Sequence, residues 1–322
     1  MSISRRLLLA TAAVLVAAPA FAQAYPAKPV TVVVPFAPGG TTDIIMRHVA
    51  AKVQEAFGQP MIVENKGGAG GAIGANQTKN AAPDGYQLGV GTVSTTATVP
   101  AIDPKAGYNP TTDFTPIINM AATPNVIAVH PSFPAKDYKG FIEELKKNPD
   151  KYAYASSGQG GIGHLQTELF KSAAGVQMTH IPYKGAGPAL NDVVAGQVMV
   201  IFDNMPSAIP HIRAGKLVPI AVAAPERLKD FPSVPTFKEL GMEQVNRPAY
   251  YGILGPKGLP KEVVDKVNAA VKKTLADPDV KKKIEDTGSL ILANSPAEFA
   301  KQIEEEFATY KKVVTEKGLK PE

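Results

Sequence analysis

Residues 32–43 read VVVPFAPGGTTD, and this stretch decides the fold. A β-branched run ends in a turn of proline and glycine, and a helical pattern begins within two residues of Gly40. Glycines at a strand-to-helix turn let the backbone tighten and leave the first helical N–H groups uncovered. Those groups, with the positive end of the helix dipole, favour an anion without any charged side chain. An ordinary connection between a strand and a helix is the competing interpretation.

The same design recurs along the chain. A second glycine-rich turn, residues 65–72, lies between a short strand and a helix. A third strand, residues 87–91, runs into the hydroxyl-rich residues 92–96. In the middle of the chain, a strand over residues 152–156 runs into the glycine-rich residues 157–164. Parallel α/β sheets bind ligands at the carboxyl ends of their strands, so the sequence predicts a site built from these loops.

The order of elements favours two α/β lobes over one continuous sheet. Strands and helices alternate up to a proline- and aspartate-rich connection at residues 103–116, and they alternate again as far as Ala223. From Pro225 the chain is irregular, until a strand over residues 250–254 and three helices close it. Ser295 is the predicted N-cap of the last helix.

The N-terminus has the pattern of a signal peptide. Arg5 and Arg6 precede an apolar run over residues 7–18, and residues 20–22 read AFA, which predicts cleavage after Ala22. No later apolar run approaches the roughly 18 residues that a membrane span needs. We therefore expect a periplasmic, soluble mature chain of 322 − 22 = 300 residues. The two arginines leave open whether export uses the general secretory or the twin-arginine route.

Charge and cysteine content exclude several classes of function. The net charge is +5, and it falls to +3 without the two arginines of the signal peptide. The densest basic run, residues 281–283, is typical of a solvated helix face, and no interleaved aromatic pattern indicates nucleic acid. The sequence has no cysteine, which excludes thiol nucleophiles, thiolate zinc sites and iron–sulfur clusters.

No motif for a cofactor or an enzyme survives inspection. Gly158, Gly160 and Gly163 match the dinucleotide-binding fingerprint, but no acid lies between Glu168 and Asp192 to bind a ribose. The five histidines lack the paired spacing of metal ligands. A hydrolase would need a nucleophile with its base, and no Gly-x-Ser-x-Gly pentapeptide is present. The sequence therefore predicts a binding protein, not an enzyme, with neither metal nor cofactor.

Three polar residues each have two interpretations. Asp43 lies in the first turn of a predicted helix, where a structural role is favoured over ligand contact. His164 begins a helix beside a glycine loop, so it either bonds to the backbone or touches a ligand. Asp203 ends an apolar strand and is either a gate to the site or an internal acceptor; we favour an organising, water-holding role.

Several segments resemble the motifs of one family. They are VPFAPGGTTD at 34–43, ENKGGAGG at 64–71, YASSG at 154–158 with the His-Leu pair at 164–165, IPYKG at 181–185, and FDN at 202–204 before IRAGK at 212–216. These segments are similar to the loop motifs of the Bug-type receptors, the periplasmic substrate-binding proteins of tripartite tricarboxylate transporters. The resemblance covers the mature chain in order.

The resemblance implies a type II periplasmic-binding-protein fold, in which two α/β lobes close on a ligand around crossing hinge strands. Lobe one would comprise residues 23–124 and 250–322, and lobe two residues 125–249. The ligand would be a small organic carboxylate, and the partner would be the membrane subunits of a transporter. The chain is expected to be a monomer. A receptor that signals to a membrane sensor kinase would use the same cleft and is the alternative.

The resemblance also implies the residues that bind the ligand. In lobe one they are Phe36, Gly39, Gly40 and Thr41 of the first loop, with Ser94 and Thr95 of the third. In lobe two they are Ser156, Ser157, Gly158 and His164 of the mid-chain motif, with Asp203 as the cleft acid. This family holds carboxylates through loops and ordered water, in agreement with the lack of an obvious arginine anchor.

One departure from the family bears on the ligand. Many relatives have small hydroxyl residues just before the His-Leu pair, where this chain has Gly161, Ile162 and Gly163. Fewer hydroxyl donors and one added apolar side chain would make that end of the cleft roomier and less polar. Our hypothesis is that the ligand is an aromatic or longer aliphatic carboxylate rather than citrate.

Overall fold

The computed structural model describes residues 25–320 of the chain, so the predicted signal peptide lies outside the described residues. The strands are β1 (Val30–Val34), β2 (Met61–Asn65), β3 (Gln87–Thr92), β4 (Phe114–Thr123), β5 (Asn125–Val129), β6 (Ala153–Ser156), β7 (Thr179–Pro182), β8 (Val200–Asn204), β9 (Val218–Ala223), β10 (Ala249–Pro256) and β11 (Leu290–Ile291). The α-helices are α1 (Thr41–Phe57), α2 (Ala72–Lys79), α3 (Val99–Ile102), α4 (Tyr138–Lys147), α5 (Ile162–Ala174), α6 (Ala186–Val194), α7 (Met205–Arg213), α8 (Lys261–Leu275), α9 (Pro278–Glu285) and α10 (Pro296–Lys317). Ala69–Gly71 forms a 3₁₀ turn, and Ser94–Thr98 forms a π-helical turn that leads into α3.

Two mixed sheets organise these elements. The first has six strands in the order β11-β4-β10-β3-β1-β2, and β1 is parallel to both of its neighbours. The second has five strands in the order β7-β6-β8-β5-β9, and β6 is parallel to both of its neighbours. We call each sheet with its packed helices lobe one and lobe two, respectively. The parallel pairs place the loops after β1, β3 and β6 at carboxyl edges.

The chain passes between the lobes at two places. It crosses to lobe two at Pro124, between β4 and β5, and it returns through the irregular residues 224–248 before β10. The last helix spans both lobes, because Phe299 lies in the core of lobe one and Val313 packs against that of lobe two. Two adjacent crossings that join two sheets are the framework of a hinged receptor.

Burial follows the alternation of hydrophobicity that the sequence shows. In β1 all residues except Thr31 are buried, and β10 is buried throughout. The capping prediction at Ser295 is confirmed, because its hydroxyl accepts from the Glu298 N–H while the Glu298 carboxylate accepts from the Ser295 N–H. Among residues 25–320, no helix combines the length and apolar character needed to cross a membrane.

One long strand escaped the sequence analysis. The connection predicted over residues 103–116 ends earlier, because β4 begins at Phe114 and includes Pro116. Proline cannot donate a ladder hydrogen bond, which argues against a central strand. Here Pro116 pairs with Leu254 at a register irregularity, where the ladder is already interrupted.

Candidate functional site

A narrow cleft lies between the lobes, at the carboxyl ends of their parallel strands. Its lining comprises Phe36, Gly40, Thr41, Thr42, Thr92, Val93, Ser94, Ser157, Ile162, Ala186, Asn204, Ala249 and Tyr251. Among these described residues none carries a formal charge; the polar groups are hydroxyls, one amide and backbone. The cleft therefore brings together five of the residues predicted for the site, Phe36, Gly40, Thr41, Ser94 and Ser157.

The first loop places a helix N-terminus on the cleft wall. Gly40 is the N-cap of α1 in extended conformation (φ −85°, ψ 167°), and no side chain of residues 25–320 caps that end. Gly39 before it needs a positive φ of 83°, which glycine adopts without strain. Gly39 faces lobe two, since a Cβ built on it would lie 3.7 Å from the Cα of Gly187. The 17-residue helix thus directs its positive end at the cleft.

Asp43 holds this loop in place. Its carboxylate accepts hydrogen bonds from the Gly39 N–H (3.1 Å), from the Nε of Arg47 (2.9 Å) and from the Nδ2 of Asn65 (2.9 Å). Burial would raise the pKa of Asp43, but the hydrogen bonds from Arg47, Asn65 and Gly39 outweigh it and lower that pKa. The structural role favoured for Asp43 from the sequence is confirmed.

Of the two third-loop residues predicted for the site, Ser94 lines the cleft and Thr95 bonds within its own turn. The Ser94 hydroxyl accepts a hydrogen bond from the Ile162 N–H of lobe two at 3.0 Å. The Thr95 hydroxyl accepts from the Thr92 N–H at 3.0 Å, so it stabilises the turn after β3 and is not part of the lining. Ser94 therefore contacts both the cleft and the opposite lobe.

The mid-chain loop uses most of its polar groups internally. The hydroxyl of Ser156, which is fully buried, accepts from the Gly158 N–H at 3.2 Å and lies 2.7 Å from the Nε2 of His180. His164 accepts from the Gly160 N–H at 3.1 Å through Nδ1, and its ring stacks on His180 with centroids 4.1 Å apart. Of the predicted residues here, the structure places Ser157 alone on the cleft wall, and it places Ser156, Gly158 and His164 behind it.

His180, which is half-buried, is neutral in its stack with the buried His164. Burial, together with the charges of His164 and Lys171, lowers the pKa of His180 to about 3. The ring is therefore uncharged at neutral pH, stacked between His164 and Tyr154. This stack supports the loop from the side opposite the cleft.

Asp203 supports the cleft from beneath. Its Oδ2 accepts a hydrogen bond from the Ser207 hydroxyl at 2.7 Å, and that hydroxyl lies 2.8 Å from Oγ1 of Thr41 in lobe one. Because Ser207 donates its only hydroxyl proton to Asp203, Thr41 is the donor to Ser207. Burial raises the pKa of Asp203 to about 6, although hydrogen bonds from Ser207 and the Asn204 backbone act in the opposite direction. Asp203 acts on the cleft through Thr41 instead of lining it.

Backbone contacts close the remaining gap between the lobes. The Ala37 N–H of lobe one donates to the Lys184 carbonyl of lobe two at 2.9 Å. A Cβ built on Gly187 would overlap the carbonyl oxygen of Pro38, so the two loops meet where glycine is required. The first loop of lobe one and residues 184–187 of lobe two therefore form a closing contact beside the cleft.

Sequence reasoning identified Phe36 and Ile162 but missed the apolar residues of β10 and one amide. Tyr251 and Ala249 are at the start of β10, a uniformly buried strand without any motif. Asn204 directly follows the β8 residue Asp203, and its position at a strand end was the available signal. Within residues 25–320, no group of three His, Asp or Glu side chains is placed to hold a metal ion.

Comparisons with known proteins agree with this architecture. Residues 45–319 match the tripartite tricarboxylate transporter family receptor, TctC. BugT of Bordetella pertussis is 33% identical over 306 residues, covering 95% of this chain and 94% of BugT. A solved structure of a periplasmic transporter is 53% identical with a TM-score of 0.90, covering 92% of this chain and 99% of that one.

Two further solved structures contain carboxylates. An R. palustris protein with adipate is 34% identical with a TM-score of 0.88, covering 92% of this chain and all (100%) of its own. MatC from Rhodopseudomonas palustris with bound malate is 36% identical with a TM-score of 0.87, covering 90% and 100%. These similarities confirm the two-lobed receptor fold and a binding protein instead of an enzyme. The chain belongs to the tripartite tricarboxylate transporter receptor family of solute-binding proteins.

Proposed function

We propose that this receptor binds a small organic carboxylate in the cleft between its lobes. The observation that carries the proposal is the N-terminus of α1, which opens on the cleft beside the hydroxyls of Thr41 and Ser94. Uncovered peptide N–H groups and the helix dipole stabilise an anion there without a basic residue. The relatives solved with adipate and malate support the same ligand class.

We assign direct and supporting roles within the predicted site. Phe36, Gly40, Thr41, Ser94 and Ser157 are the proposed ligand contacts, because they line the cleft. The supporting residues, which hold the loops or bridge the lobes, are Gly39, Thr95, Ser156, Gly158, His164 and Asp203. This division follows from which of the predicted residues line the cleft.

The proposed ligand has an apolar middle or an aromatic ring. Ile162 lines the cleft opposite α1, and Phe36 and Ala186 add further apolar surface. Because Ile162 replaces hydroxyl donors in the segment before the His-Leu pair, a six-carbon or aromatic acid fits this wall better than citrate does. Apolar contact at about 25 cal/mol per Å² would favour the longer chain.

Calorimetry on the purified mature chain tests this proposal. Adipate and an aromatic acid such as benzoate should bind and raise the melting temperature more than citrate does. Strong stabilisation by citrate alone would contradict the proposal of an apolar ligand, but it would agree with the broader proposal that the protein binds a carboxylate. No binding of adipate, malate, benzoate or citrate would overturn the carboxylate proposal itself. Native mass spectrometry of freshly purified protein would identify a retained ligand independently.

We also propose how the receptor acts in the cell. It is exported after cleavage at Ala22, remains a monomer in the periplasm, and delivers its ligand to the membrane subunits of a transporter. Lobe one comprises residues 23–124 and 250–322, and lobe two residues 125–249. The two sheets support this division to within one residue, since β4 ends at Thr123 and β10 begins at Ala249. Ligand binding favours the closed state through its differential affinity for that state.

Experiments in the native host separate transport from signalling. Deleting the gene for this protein should abolish uptake of the labelled ligand. In the wild-type strain, the mature protein should be found in the periplasmic fraction with Gln23 as its first residue. Uptake that persists while a ligand-induced transcriptional response disappears would instead support the sensor-kinase alternative. Light scattering of the purified protein checks the monomeric state.

A further inference from the structure

A chain of three amides connects the hinge to the cleft wall. Asn125 and Gln166, both fully buried, lie against the Arg247 carbonyl oxygen, which their side-chain nitrogens approach to 2.8 and 2.9 Å. Asn125 directly follows the first crossing between the lobes, and Arg247 lies at the end of the second, residues 224–248. The network therefore ties the two crossing segments together at one backbone oxygen.

The donors and acceptors in this network determine the orientation of all three side-chain amides. A carbonyl oxygen only accepts, so both side chains must direct their NH₂ groups at Arg247. Asn125 donates its second N–H to the Oε1 of Gln166 at 3.0 Å. Its Oδ1 is then left as an acceptor, and the group of Asn204 that contacts this oxygen must be Nδ2. If the Asn204 amide were rotated by 180°, its oxygen would face the Asn125 oxygen, and neither atom could donate a hydrogen bond.

Of the three amides, all within the described residues, only Asn204 lines the cleft. One of its N–H groups is used by Asn125, and the amide nitrogen carries a second N–H. Hydrogen bonds from amide N–H groups to a carboxylate are charge-assisted, and they are about twice as strong as neutral ones. An N–H donor fixed at this wall can pair with a carboxylate oxygen of the ligand, but it cannot pair with a ligand group that offers only hydrogen-bond donors.

We propose that Asn204 donates to a carboxylate oxygen of the ligand, and that Asn125 is the positioning residue that fixes its amide orientation. This inference rests on the proposed carboxylate site and adds the residue that selects the charged group. The Arg247 side chain extends the same network away from the cleft, because it donates to Glu306 on the last helix at 2.6 Å. Asn204 is thereby connected to both segments that cross between the lobes.

Two variants of Asn204 test the ligand contact. Calorimetry should compare adipate and malate with their monoamides, adipamic and malamic acid. Asn204→Asp should weaken the tighter dicarboxylate by roughly 100-fold and its monoamide by less, since a new carboxylate would face the ligand charge. Asn204→Leu, of similar size, should weaken the dicarboxylate by roughly 10-fold by removing the donor. Asn191→Asp, at an exposed position on α6, is the matched charge control and should change neither affinity.

Asn125→Leu tests the positioning role. The Asn204 amide can then rotate and offer its oxygen, so the affinity ratio of dicarboxylate to monoamide should fall toward one. A merely structural role would lower both affinities equally. If the variant fails to fold, the side-chain NH₂ signals of Asn204 in wild-type protein give the answer by NMR. One proton should exchange slowly without ligand, and the other should become protected with adipate or malate.

The outcomes separate this inference from the proposed function. Wild-type protein that binds none of the carboxylates would overturn both. Wild-type protein that binds adipate or malate, with Asn204→Asp equal to Asn191→Asp, would overturn only the role of Asn204. An unchanged ratio in folded Asn125→Leu, or equal exchange of the two Asn204 protons, would overturn the role of Asn125.

Discussion

The first loop of lobe one and the mid-chain loop of lobe two have the same local design and different uses. Each follows a buried strand, is rich in glycine and begins a helix. The two N-cap glycines even share one conformation, with φ and ψ of −85° and 167° at Gly40 and −67° and 169° at Gly161. From the sequence, the two loops predict a symmetric clamp.

The difference lies in what already occupies each helix N-terminus. In lobe two, the Ile162 N–H donates to the Ser94 hydroxyl, while Ser156 and His164 hydrogen-bond to their own loop. In lobe one, no described side chain caps the start of α1, and its N-cap glycine lines the cleft. A helix N-terminus attracts an anion only while its N–H groups remain available. We therefore propose that the ligand carboxylate binds against lobe one and that the apolar part of the ligand lies against Ile162.

Valine substitutions at the two N-cap glycines test this asymmetry most strongly. Both positions have extended backbone, which valine tolerates. Gly40→Val should weaken adipate binding roughly 1,000-fold, about 4 kcal/mol, because its branched side chain covers the N–H groups of α1. Its Cβ would also lie 3.2 Å from the Cβ of Ala186. Titration calorimetry provides the measurement.

Gly161→Val is the matched change in lobe two. Its Cβ would meet the Gly158 carbonyl oxygen at 3.2 Å and the Ser94 hydroxyl at 3.4 Å, without covering an available anion site. We expect a loss of roughly 10-fold in adipate affinity, which corresponds to about 1.4 kcal/mol. Equal losses of adipate affinity in the two variants would instead support the symmetric clamp that the sequence predicts.

Gly187→Ala tests whether lobe closure completes the site. The added Cβ would overlap the Pro38 carbonyl oxygen of lobe one, so the two loops must separate. Adipate affinity should fall roughly 100-fold, about 3 kcal/mol, since the lobe-two wall no longer reaches the ligand. Small-angle scattering should show no contraction on addition of adipate. Gly140→Ala in the α4 helix of lobe two is the control, and full affinity with normal contraction in Gly187→Ala would contradict this role.

The pH dependence of stability tests the support beneath lobe one. The pKa of Asp203 is raised from 3.8 to about 6, so the folded protein binds this proton more tightly than the unfolded chain. That contribution is fully present below about pH 4 and is lost as the pH rises through 6. Two pKa units correspond to about 3 kcal/mol. Asp203→Asn should therefore match wild type near pH 4 and exceed its free energy of unfolding near pH 7.5.

Urea unfolding of both proteins at each pH isolates this effect. The support of lobe two has the opposite dependence, because the lowered pKa of His180 makes stability fall as the pH drops below 6.5. His180 is present in both proteins, so its contribution cancels in the difference. A pH-independent difference between Asp203→Asn and wild type would show that Asp203 does not titrate in this range.

Local pattern predicted the elements, and long-range packing determined their use. Hydrophobic periodicity and glycines located both strand–loop–helix units, because those signals lie within about 15 residues. The partners that decide the role of each loop lie farther away. His180 is 24 residues from Ser156, and Ser94 is 68 residues from Ile162. A sequence pattern cannot state which hydroxyl such a partner will bind.

The same reason explains the other differences. Asp43 was predictable, because its partners Gly39 and Arg47 lie within one helical turn. Asn204 was not, because its orientation depends on Asn125 and Gln166 from two distant elements. The strand at Phe114 was missed, since the irregularity that accommodates Pro116 arises only in the pairing of β4 with β10, which is distant in sequence. Local capping interactions can thus be predicted from the sequence, whereas hydrogen bonds between distant elements cannot.

The adjacent serines of the mid-chain loop give the smallest and most discriminating test. Ser157 lines the cleft, whereas the Ser156 hydroxyl is bound by Gly158 and His180. Ser157→Ala should weaken adipate binding roughly tenfold, about 1.4 kcal/mol, with little change in stability. Ser156→Ala should instead lower the free energy of unfolding by about 1–2 kcal/mol, since it leaves buried polar groups without that partner, and change affinity only weakly. The reversed pattern would mean that this loop turns its other face to the ligand, and the lobe-two wall would then be polar.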